Sequence, residues 1–325
     1  MKIKNCNIES NDHGINVTVN KVPNLFRYQS INKYTTNALL KDELWGTTPI
    51  AFNDPYDMCC CFSPIKIKNA IREKVNNGEY RHLYELVQVK TDDEFVSYLY
   101  DFLCKDMNNT LKQQYAVVCF SEKNDSEIMW AHYANCATGF VLEYNGEHLR
   151  ETVNARNDEI NDVLCSIFGV DQVKQKQAIA PVVYLNGKYN CTEIILNLIN
   201  DTIQLFQERY NKNNNADLEY LKNVALKNED NNLFYSIFCN KTKDWSYEKE
   251  WRIWTHNTNL LINRNNEKYV MIAENIIPEA IYLGEYISDY DKIIMKEIAK
   301  NKQIPLYEMK TKMYKNRFKL IAQKV

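Results

Sequence analysis

The sequence predicts an α+β protein with a mixed, largely antiparallel sheet and helical insertions. Two observations predict this class. Short apolar or alternating runs typical of strands recur along the whole chain, and stretches of helical periodicity separate them. No internal repeat or convincing linker divides the chain. We therefore predict an N-terminal strand extension at residues 1–23 and a single domain at 24–325, with helical insertions near 63–112 and 191–240.

The first third of the chain supplies strands and one long insertion. Two short strands are expected in residues 3–20, around a turn at Asp12–Gly14. A short strand at LFRY then precedes a helix that Ser30 can cap, and ELWGTT forms the next strand. The segment PIAFNDPYD is rich in turn formers and is read as a structured loop, followed by the helical insertion.

The rest of the chain alternates strands and helices. YAVVCFS predicts a strand, and Asp125 or Ser126 can cap a helix that continues to Cys136. FVLEY and APVVYLN predict strands on either side of a polar helical stretch at 146–178. Two helices flank the polar tract NKNNNAD, which is expected to be a solvated loop. The predicted order then runs through KTKDWSYEKEWRIW and PEAIYLGEYIS and closes with a helix around 289–301 and two strands near IPLYEMKT and RFKLIAQ.

Composition excludes several classes of protein. Forty basic and 42 acidic residues give a net charge of −2, so binding of bulk nucleic acid is not expected, although the count leaves a local basic groove open. Only 8 glycines are present, and no glycine-rich phosphate loop occurs. The 10 cysteines form no C-x-x-C pair, so we expect reduced thiols and no metal. No signal peptide or run of eighteen apolar residues occurs, which predicts a cytoplasmic protein without a membrane contact.

Two early clusters are candidate binding residues. Arg27, beside Tyr28 at the end of a strand, can hold a phosphate or carboxylate through its planar guanidinium; the alternative is a surface ion pair. Asn53 and Asp54 precede a proline, which directs the Asp54 carboxylate, and Asn53 can close a turn. Turn formation explains this second cluster as well as ligand binding does.

A third cluster follows the strand YAVVCFS. Ser121 ends that strand but lacks the G-x-S-x-G context of a nucleophilic serine. Helical spacing puts Met129, His132, Tyr133 and Cys136 on one face. His132 is then either a hydrogen-bonded core histidine or a residue at the rim of a pocket that orients a substrate or a carboxylate.

The fourth cluster is the most informative. Strand alternation through 247–253 places Glu248, Glu250 and Arg252 on one face and leaves Trp251 and Ile253 to anchor the other face in the core. A ladder of ion pairs would explain the charged face. Two carboxylates on one face also suit an acid positioned against developing positive charge.

Taken together, LFRYQS, LWGTTPIAFNDPYD, CFSE, MWAHYA, GFVLEY, KTKDWSYEKEWRI and PEAIYLG resemble one uncharacterised bacterial family. It is the domain-of-unknown-function family two-nine-seven-one. The resemblance runs from about residue 24 to about residue 285 and is weakest across the helical insertions. The family carries no known activity, so it implies none for this chain.

A more distant resemblance is to ADP-ribosyltransferases, in the order of an arginine, a serine and a Glu-x-Glu pair along the chain. It implies a split sheet and NAD as the substrate. Arg27 would then grip a phosphate, Ser121 would lie by the nicotinamide ribose, Glu250 would be catalytic and Glu248 would position the acceptor. The serine stands in CFSE and not in a Ser-Thr-Ser triplet, which departs from that pattern.

Three functions therefore stand side by side. The first is an NAD-using enzyme of phage defence or a toxin system, which transfers ADP-ribose to a macromolecule or hydrolyses NAD. The second is a nucleotide-sensing or protein-binding module of a defence operon, without turnover. The third is a metal-dependent hydrolase or nuclease using Asp54, Asp57 and His132. The expected ligand is flat and charged, such as a nicotinamide nucleotide. A protein target is a further expected partner. The predicted catalytic residues are Glu250, Glu248 and His132. The predicted binding residues also include three aromatic side chains suited to stacking, Tyr28, Trp45 and Trp130, together with Arg252.

Overall fold

A computed structural model describes residues 3–11, 14–80, 83–84, 87–168, 179–213, 231–259 and 268–325. Its main element is a ten-stranded, mostly antiparallel sheet, in which β12 and β13 form the parallel pair. The predicted α+β class with a mixed sheet is therefore confirmed. The strands are β1 (Cys6–Asn11), β2 (Gly14–Val19), β3 (Leu25–Gln29), β4 (Leu44–Thr47), β5 (Tyr115–Ser121), β6 (Phe140–Tyr144), β7 (Ile179–Pro181), β8 (Val183–Leu185), β9 (Asn240–Thr242), β10 (Glu250–His256), β11 (Tyr269–Ala273), β12 (Ala280–Leu283), β13 (Leu306–Tyr314) and β14 (Arg317–Lys324).

Helices occupy the segments predicted to be insertions and cover the sheet. The helices of the described residues are α1 (Lys33–Leu40), α2 (Pro64–Asn76), α3 (Asp92–Tyr100), α4 (Met107–Gln114), α5 (Glu127–Tyr133), α6 (Gly146–Phe168), α7 (Thr192–Asn213), α8 (Asn231–Phe238) and α9 (Asp289–Lys302). Within the described residues, helices therefore make up most of the insertions predicted near 63–112 and 191–240. Most of the NKNNNAD tract lies outside the described residues.

The large sheet forks at β5, and this fork positions the site. One edge of β5 pairs with β10 along its whole length, from Glu250 opposite Ser121 to His256 opposite Tyr115. The other edge meets β4 at Val117 and β3 at Ser121. β4 continues to β11, whereas β3 continues through β6 and β12 to the hairpin of β13 and β14. The strands β3 and β4 therefore diverge and leave the middle of β5 uncovered between them.

The N-terminal hairpin of β1 and β2 packs on the same core as the sheet. Ile15 and Val17 are buried, and the Ile15 amide donates to the Ser236 hydroxyl of α8 at 2.8 Å. The hairpin turn at Asp12–His13 lies outside the described residues. After β7 the chain enters β8, which pairs with β9 in a separate two-stranded sheet.

Several local expectations were wrong. Asn32, and not Ser30, caps α1. Its side chain accepts from the amides of Tyr34 and Thr35, and the Thr35 hydroxyl accepts from the Asn32 amide. APVVYLN is divided into β7 in the large sheet and β8 in the small one. The strand β11 was not foreseen. These differences arise from tertiary pairing, which local patterns do not record.

The helix α5 ends earlier than its sequence pattern predicted. Ser126 caps its start, as expected, but the helix stops at Tyr133 and not at Cys136. The chain then takes left-handed backbone angles at three successive residues, Asn135, Cys136 and Ala137. This tight turn brings Gly139 against β3 at the start of β6.

Within the part of the chain that the structure describes, no helix has the length and apolar character needed to cross a bilayer.

We expect Gly139→Ala to destabilise the fold. A Cβ atom at Gly139 would lie 2.2 Å from the Gln29 carbonyl oxygen and 2.9 Å from that of Ala134, so backbone would have to move. Overpacking of this kind costs about 1–3 kcal/mol. Urea unfolding measures the change in the free energy of unfolding. Gly187→Ala is the matched control, because nothing lies within 4 Å of the added methyl group; equal stability of the two variants would contradict the close approach of β3 and β6.

Candidate functional site

A cavity of about 230 Å³ lies in the fork between β3 and β4, over the uncovered part of β5. Its walls combine apolar side chains with a set of charged ones. They are Phe26, Arg27 and Tyr28 of β3, Thr47, the loop residues Phe52, Asn53 and Asp57, Val117 to Ser121 of β5, Met129 and Tyr133 of α5, and Lys241, Glu248 and Glu250. The cavity therefore collects most of the residues that the sequence singled out.

The charged wall is built on Arg252, which has no exposed surface. Its Nε and Nη2 donate to the two oxygens of Glu250 at 2.7 and 3.1 Å. Its Nη1 and Nη2 donate to the two oxygens of Asp57 at 3.0 and 2.6 Å, and Nη1 donates to the Phe238 carbonyl at 2.7 Å. All five N–H donors of the guanidinium are used in this way. Arg252 thus has no donor left for a ligand and acts as a support for its two carboxylates.

Lys241 joins a third carboxylate to this cluster. Its ammonium lies 2.7 Å from Glu248, 2.8 Å from Glu250 and 3.3 Å from Asp57. The side chains of the cluster are all buried, so these ion pairs are largely shielded from water and salt. Three carboxylates against two cations leave one negative charge in excess when every group is ionised.

The excess charge falls on Glu248. Burial and the neighbouring charge of Glu250 raise the pKa of Glu248 to about 7. Glu250 is also buried, yet the facing Arg252 and Lys241 hold its pKa well below the usual value. One carboxylate is therefore ionised throughout the neutral range, while the other titrates within it. Environments that push two carboxyl groups apart in this way are typical of acid–base pairs.

The backbone turn between the two glutamates was not predicted. Instead of continuing a strand back to Tyr247, the chain forms a 3-10 helix at Lys243–Glu248 and takes a left-handed conformation at Lys249, so that β10 begins at Glu250. This turn lets both carboxylates reach the ammonium of Lys241. The opposite face of β10 behaves as predicted, since Trp251 and Ile253 are fully buried.

Tyr133 and Asn53 hold the free side of Glu248. The Tyr133 hydroxyl donates to Oε1 of Glu248 at 2.5 Å and also bonds with the Asn53 side chain. The second oxygen of Glu248 accepts from Lys241. Both Asn53 and Tyr133 line the cavity. The FNDPYD loop and α5 therefore meet at this carboxylate.

Arg27 closes the other side of the fork. Its Nη2 donates to the Trp45 carbonyl of β4 at 2.6 Å, so the guanidinium bridges the two diverging strands. Among the described residues, no carboxylate lies within ion-pair distance of it. Burial lowers the pKa of Arg27, which indicates that its charge is largely removed from bulk water. The remaining N–H donors are therefore suited to an anion.

A second cavity, of about 530 Å³, lies beyond Arg27 and shares Arg27 and Thr47 with the first. Its walls hold three aromatic side chains among mostly polar ones. Trp45 lines it, with its Nε1 donating to Glu43, and Tyr34 and Tyr269 are more than half exposed beside it. Arg27 thus stands between a cavity that holds the carboxylate cluster and a second one that holds three aromatic side chains.

Cys119 and Ser121, near the C-terminal end of β5, both line the first cavity. The Ser121 hydroxyl is fully buried and donates to the Glu248 carbonyl at 2.6 Å. The Cys119 thiol lies deep in the protein but is reached by solvent through the cavity. Burial and the charge of Glu250 raise its pKa well above the usual value, so it is a neutral thiol. Tyr28, also in the wall, donates to the Lys123 carbonyl at 2.8 Å.

Four residues predicted for the site lie outside the walls of both cavities, and Arg252 of the charged cluster is one of them. His132 is exposed, and its Nδ1 contacts the Tyr247 hydroxyl at 3.3 Å; the predicted stripe on α5 therefore faces the site through Met129 and Tyr133 alone. Trp130 is buried in the core, and its Nε1 donates to Asn124.

The fourth is Asp54. It closes the turn expected of Asn53 by accepting from the Tyr56 amide at 2.8 Å.

The predictions did not include Lys241; they named Asp57 only for the metal-dependent alternative and Tyr133 only as part of the α5 stripe. Lys241 stands in the KTKDW motif and Asp57 in FNDPYD, so the motifs were noticed but the pairing across the fold was not. The described residues hold no group of three or more His, Cys, Asp or Glu side chains arranged to hold a metal ion. Both oxygens of Asp57 are already engaged by Arg252.

Comparison with known families agrees with the resemblance read from the motifs. Residues 129–253 match the family described as "Protein of unknown function (DUF2971)", which confirms the resemblance over this stretch. The matched stretch runs from α5 to β10 and contains Tyr133, Lys241, Glu248 and Glu250, whereas Arg27 lies before it. No curated protein and no solved structure matches the chain.

We expect Arg252→Met to be strongly destabilising. The change leaves Asp57 and Glu250 buried with only Lys241 to balance them, and breaking a buried ion pair from one side costs about 3–5 kcal/mol. Urea unfolding at neutral pH measures the loss. The control is Arg156→Met, which removes an exposed pair with Glu159 and should change stability by less than about 1 kcal/mol. Similar losses in both variants would show that the buried cluster contributes no more to the free energy of unfolding than an exposed ion pair does.

Proposed function

We propose that the protein is an enzyme that cleaves the nicotinamide–ribose bond of NAD and transfers ADP-ribose to a macromolecule or to water. One observation carries this proposal: two adjacent carboxylates with oppositely displaced pKa values line the same cavity as Arg27, whose guanidinium makes no ion pair among the described residues. The carboxylates suit glycosyl transfer, and the arginine suits a phosphate.

The position of Arg27 fits a ligand with two halves joined by an anionic centre. The guanidinium stands between the two cavities and is in the wall of both. A pyrophosphate bound there would leave one half of the ligand beside Glu248 and the other beside Trp45. Aromatic side chains such as Tyr34, Trp45 and Tyr269 of the second cavity favour a flat heterocycle.

The strand order supports the same assignment. Arg27, Ser121 and Glu250 lie on three strands that are neighbours in the sheet, with Glu250 directly opposite Ser121 in the register. These are three of the four positions that the resemblance to ADP-ribosyltransferases singled out, and the fourth, Glu248, lines the same cavity.

The proposed chemistry divides between the two glutamates. As the bond breaks, its electron pair leaves with nicotinamide and positive charge develops on the ribose. A carboxylate held ionised stabilises such charge, and Glu250 is held so by Arg252 and Lys241. The incoming hydroxyl or water must lose a proton as it bonds to the ribose carbon. Glu248, with a pKa of about 7, is suited to accept that proton.

A second candidate function is a binding module without turnover. The observation that favours it is the complete hydrogen bonding of Arg252, which leaves the cluster satisfied without any ligand. In that case the cavity would bind the nucleotide and the cluster would only hold its walls. The metal-dependent alternative is less well supported. It needs Asp54, Asp57 and His132, and only Asp57 among these three lines the cavity.

Nicotinamide release from NAD tests the enzyme proposal. We expect Glu248→Gln to lower kcat by about 100-fold or more with little change in KM, because a positioned general base contributes at least that factor. Arg27→Met should raise KM by about tenfold or more, because a charge-assisted bond to phosphate is lost. Glu159→Gln and Arg72→Met, both on the surface, are the matched controls and should behave as the unmodified protein.

The outcomes separate the two candidate functions. Thermal stabilisation by NAD without nicotinamide release would support the binding module and contradict the enzyme. If NAD neither yields nicotinamide nor stabilises the protein, both candidate functions are contradicted. Glu248→Gln is the cleaner variant because Glu250→Gln would also remove a partner of Arg252.

The pH profile of the reaction is a separate expectation. The general base must be ionised, so kcat should rise with pH through a midpoint near the Glu248 pKa of about 7. Tyr133→Phe removes a hydrogen bond to the ionised carboxylate and should move that midpoint upward. Steady-state rates from pH 5 to 9 measure both midpoints, and a rate that falls across this range would argue against Glu248 as the base.

A further inference from the structure

The hairpin of β13 and β14 projects from the edge of the large sheet. We call it the C-terminal hairpin. Its strands pair from Tyr307–Lys324 to Tyr314–Arg317, and the two residues of its turn, Lys315 and Asn316, both adopt left-handed backbone angles. Such two-residue turns match the twist of a β-hairpin. Every residue from 311 to 319 is exposed, so the tip is a surface that no part of the described chain covers.

The charge of this hairpin differs from that of the whole chain. Residues 309–325 contain six Lys and Arg and no Asp or Glu, whereas the chain carries a net charge of −2. Lys310 is paired with Glu308 at 2.8 Å. Among the described residues, Lys312, Lys315, Arg317 and Lys319 make no ion pair. Positive charge is therefore concentrated at the tip.

The strand register gathers these cations on one face. Lys312 lies directly opposite Lys319, and Tyr314 lies directly opposite Arg317. Like charges opposite one another destabilise a sheet, so folding alone does not account for this arrangement. The Tyr314 ring lies in the middle of the face, 4.8 Å from the Lys319 ammonium and 5.6 Å from that of Lys315. It is more than half exposed.

We propose that the cationic face of the C-terminal hairpin binds single-stranded nucleic acid. Lysine and arginine would contact successive phosphates, and residues two apart on a strand are about 6.8 Å apart. An exposed aromatic ring among such cations gives an unpaired base a surface for stacking. A duplex offers no unstacked base to Tyr314, which favours single strands.

The second face of the hairpin argues against a membrane as the partner. Met313 and Phe318 form a cross-strand pair on the side opposite the cations, and both are exposed. A bilayer surface receives apolar side chains and cationic ones from the same direction. Here the two sets point in opposite directions, so insertion of Phe318 would turn the cations away from the lipid headgroups.

Fluorescence anisotropy with a labelled 20-nucleotide single strand and its matching duplex tests the proposal. We expect binding of the single strand that weakens with salt, with a slope of log K against log salt of about −3 for four phosphate contacts. The double variant Lys312→Glu/Lys319→Glu should weaken binding by about tenfold or more. Tyr314→Ala should weaken binding of the single strand by about fivefold or more.

The matched control is Lys66→Glu/Lys296→Glu, which makes the same change in net charge at two exposed lysines elsewhere. It should leave the affinity unchanged. The proposal is overturned if the single strand does not bind at 50 mM salt, if the control loses as much affinity as the hairpin variant, if the duplex binds more tightly, or if only vesicles of anionic lipid bind. Because NAD plays no part in this assay, its failure and the failure of the proposed enzyme activity are independent.

Discussion

The buried guanidinium of Arg252 is the interaction on which the candidate site depends. It binds Asp57 from the loop after β4, Glu250 from its own strand and the Phe238 carbonyl at the end of α8. The Asp57 loop, 195 residues away in sequence, and the end of α8 are thereby both held against β10. A buried cation of this kind is stable only when its donors are all satisfied, so the positions of these segments are strongly constrained.

This constraint also decides which carboxylate titrates near neutral pH. Arg252 engages both oxygens of Glu250 and of Asp57, and Lys241 is shared among three acids. Glu248 receives the smallest share of positive charge and faces Glu250, so burial raises its pKa while that of Glu250 falls. The fork in the sheet then presents Glu248 to a cavity that ends at Arg27. Charge placement and sheet topology thus produce the site together.

Sequence patterns predicted the elements better than their relations. Alternation correctly buried Trp251 and Ile253, and the motifs contained the charged residues that meet at the cavity. The same alternation missed the left-handed Lys249, because a single backbone turn leaves no mark on hydrophobic periodicity. Helical spacing likewise favoured His132, but only the packing of α5 shows that Tyr133 is the residue facing Glu248. Long-range ion pairs such as that of Asp57 with Arg252 have no local signal at all.

The central claim is that the buried cluster leaves Glu248 as the titrating carboxylate. The most direct measurement is a carbon-13 NMR titration of the glutamate carboxyl groups, with Glu248→Gln used to assign the Glu248 signal. The account predicts that this signal titrates with a midpoint near pH 7, from an ordinary value of 4.5, while the Glu250 signal stays that of an ionised carboxylate throughout. A Glu248 midpoint at or below 4.5, or a Glu250 signal that titrates near neutrality instead, would contradict it.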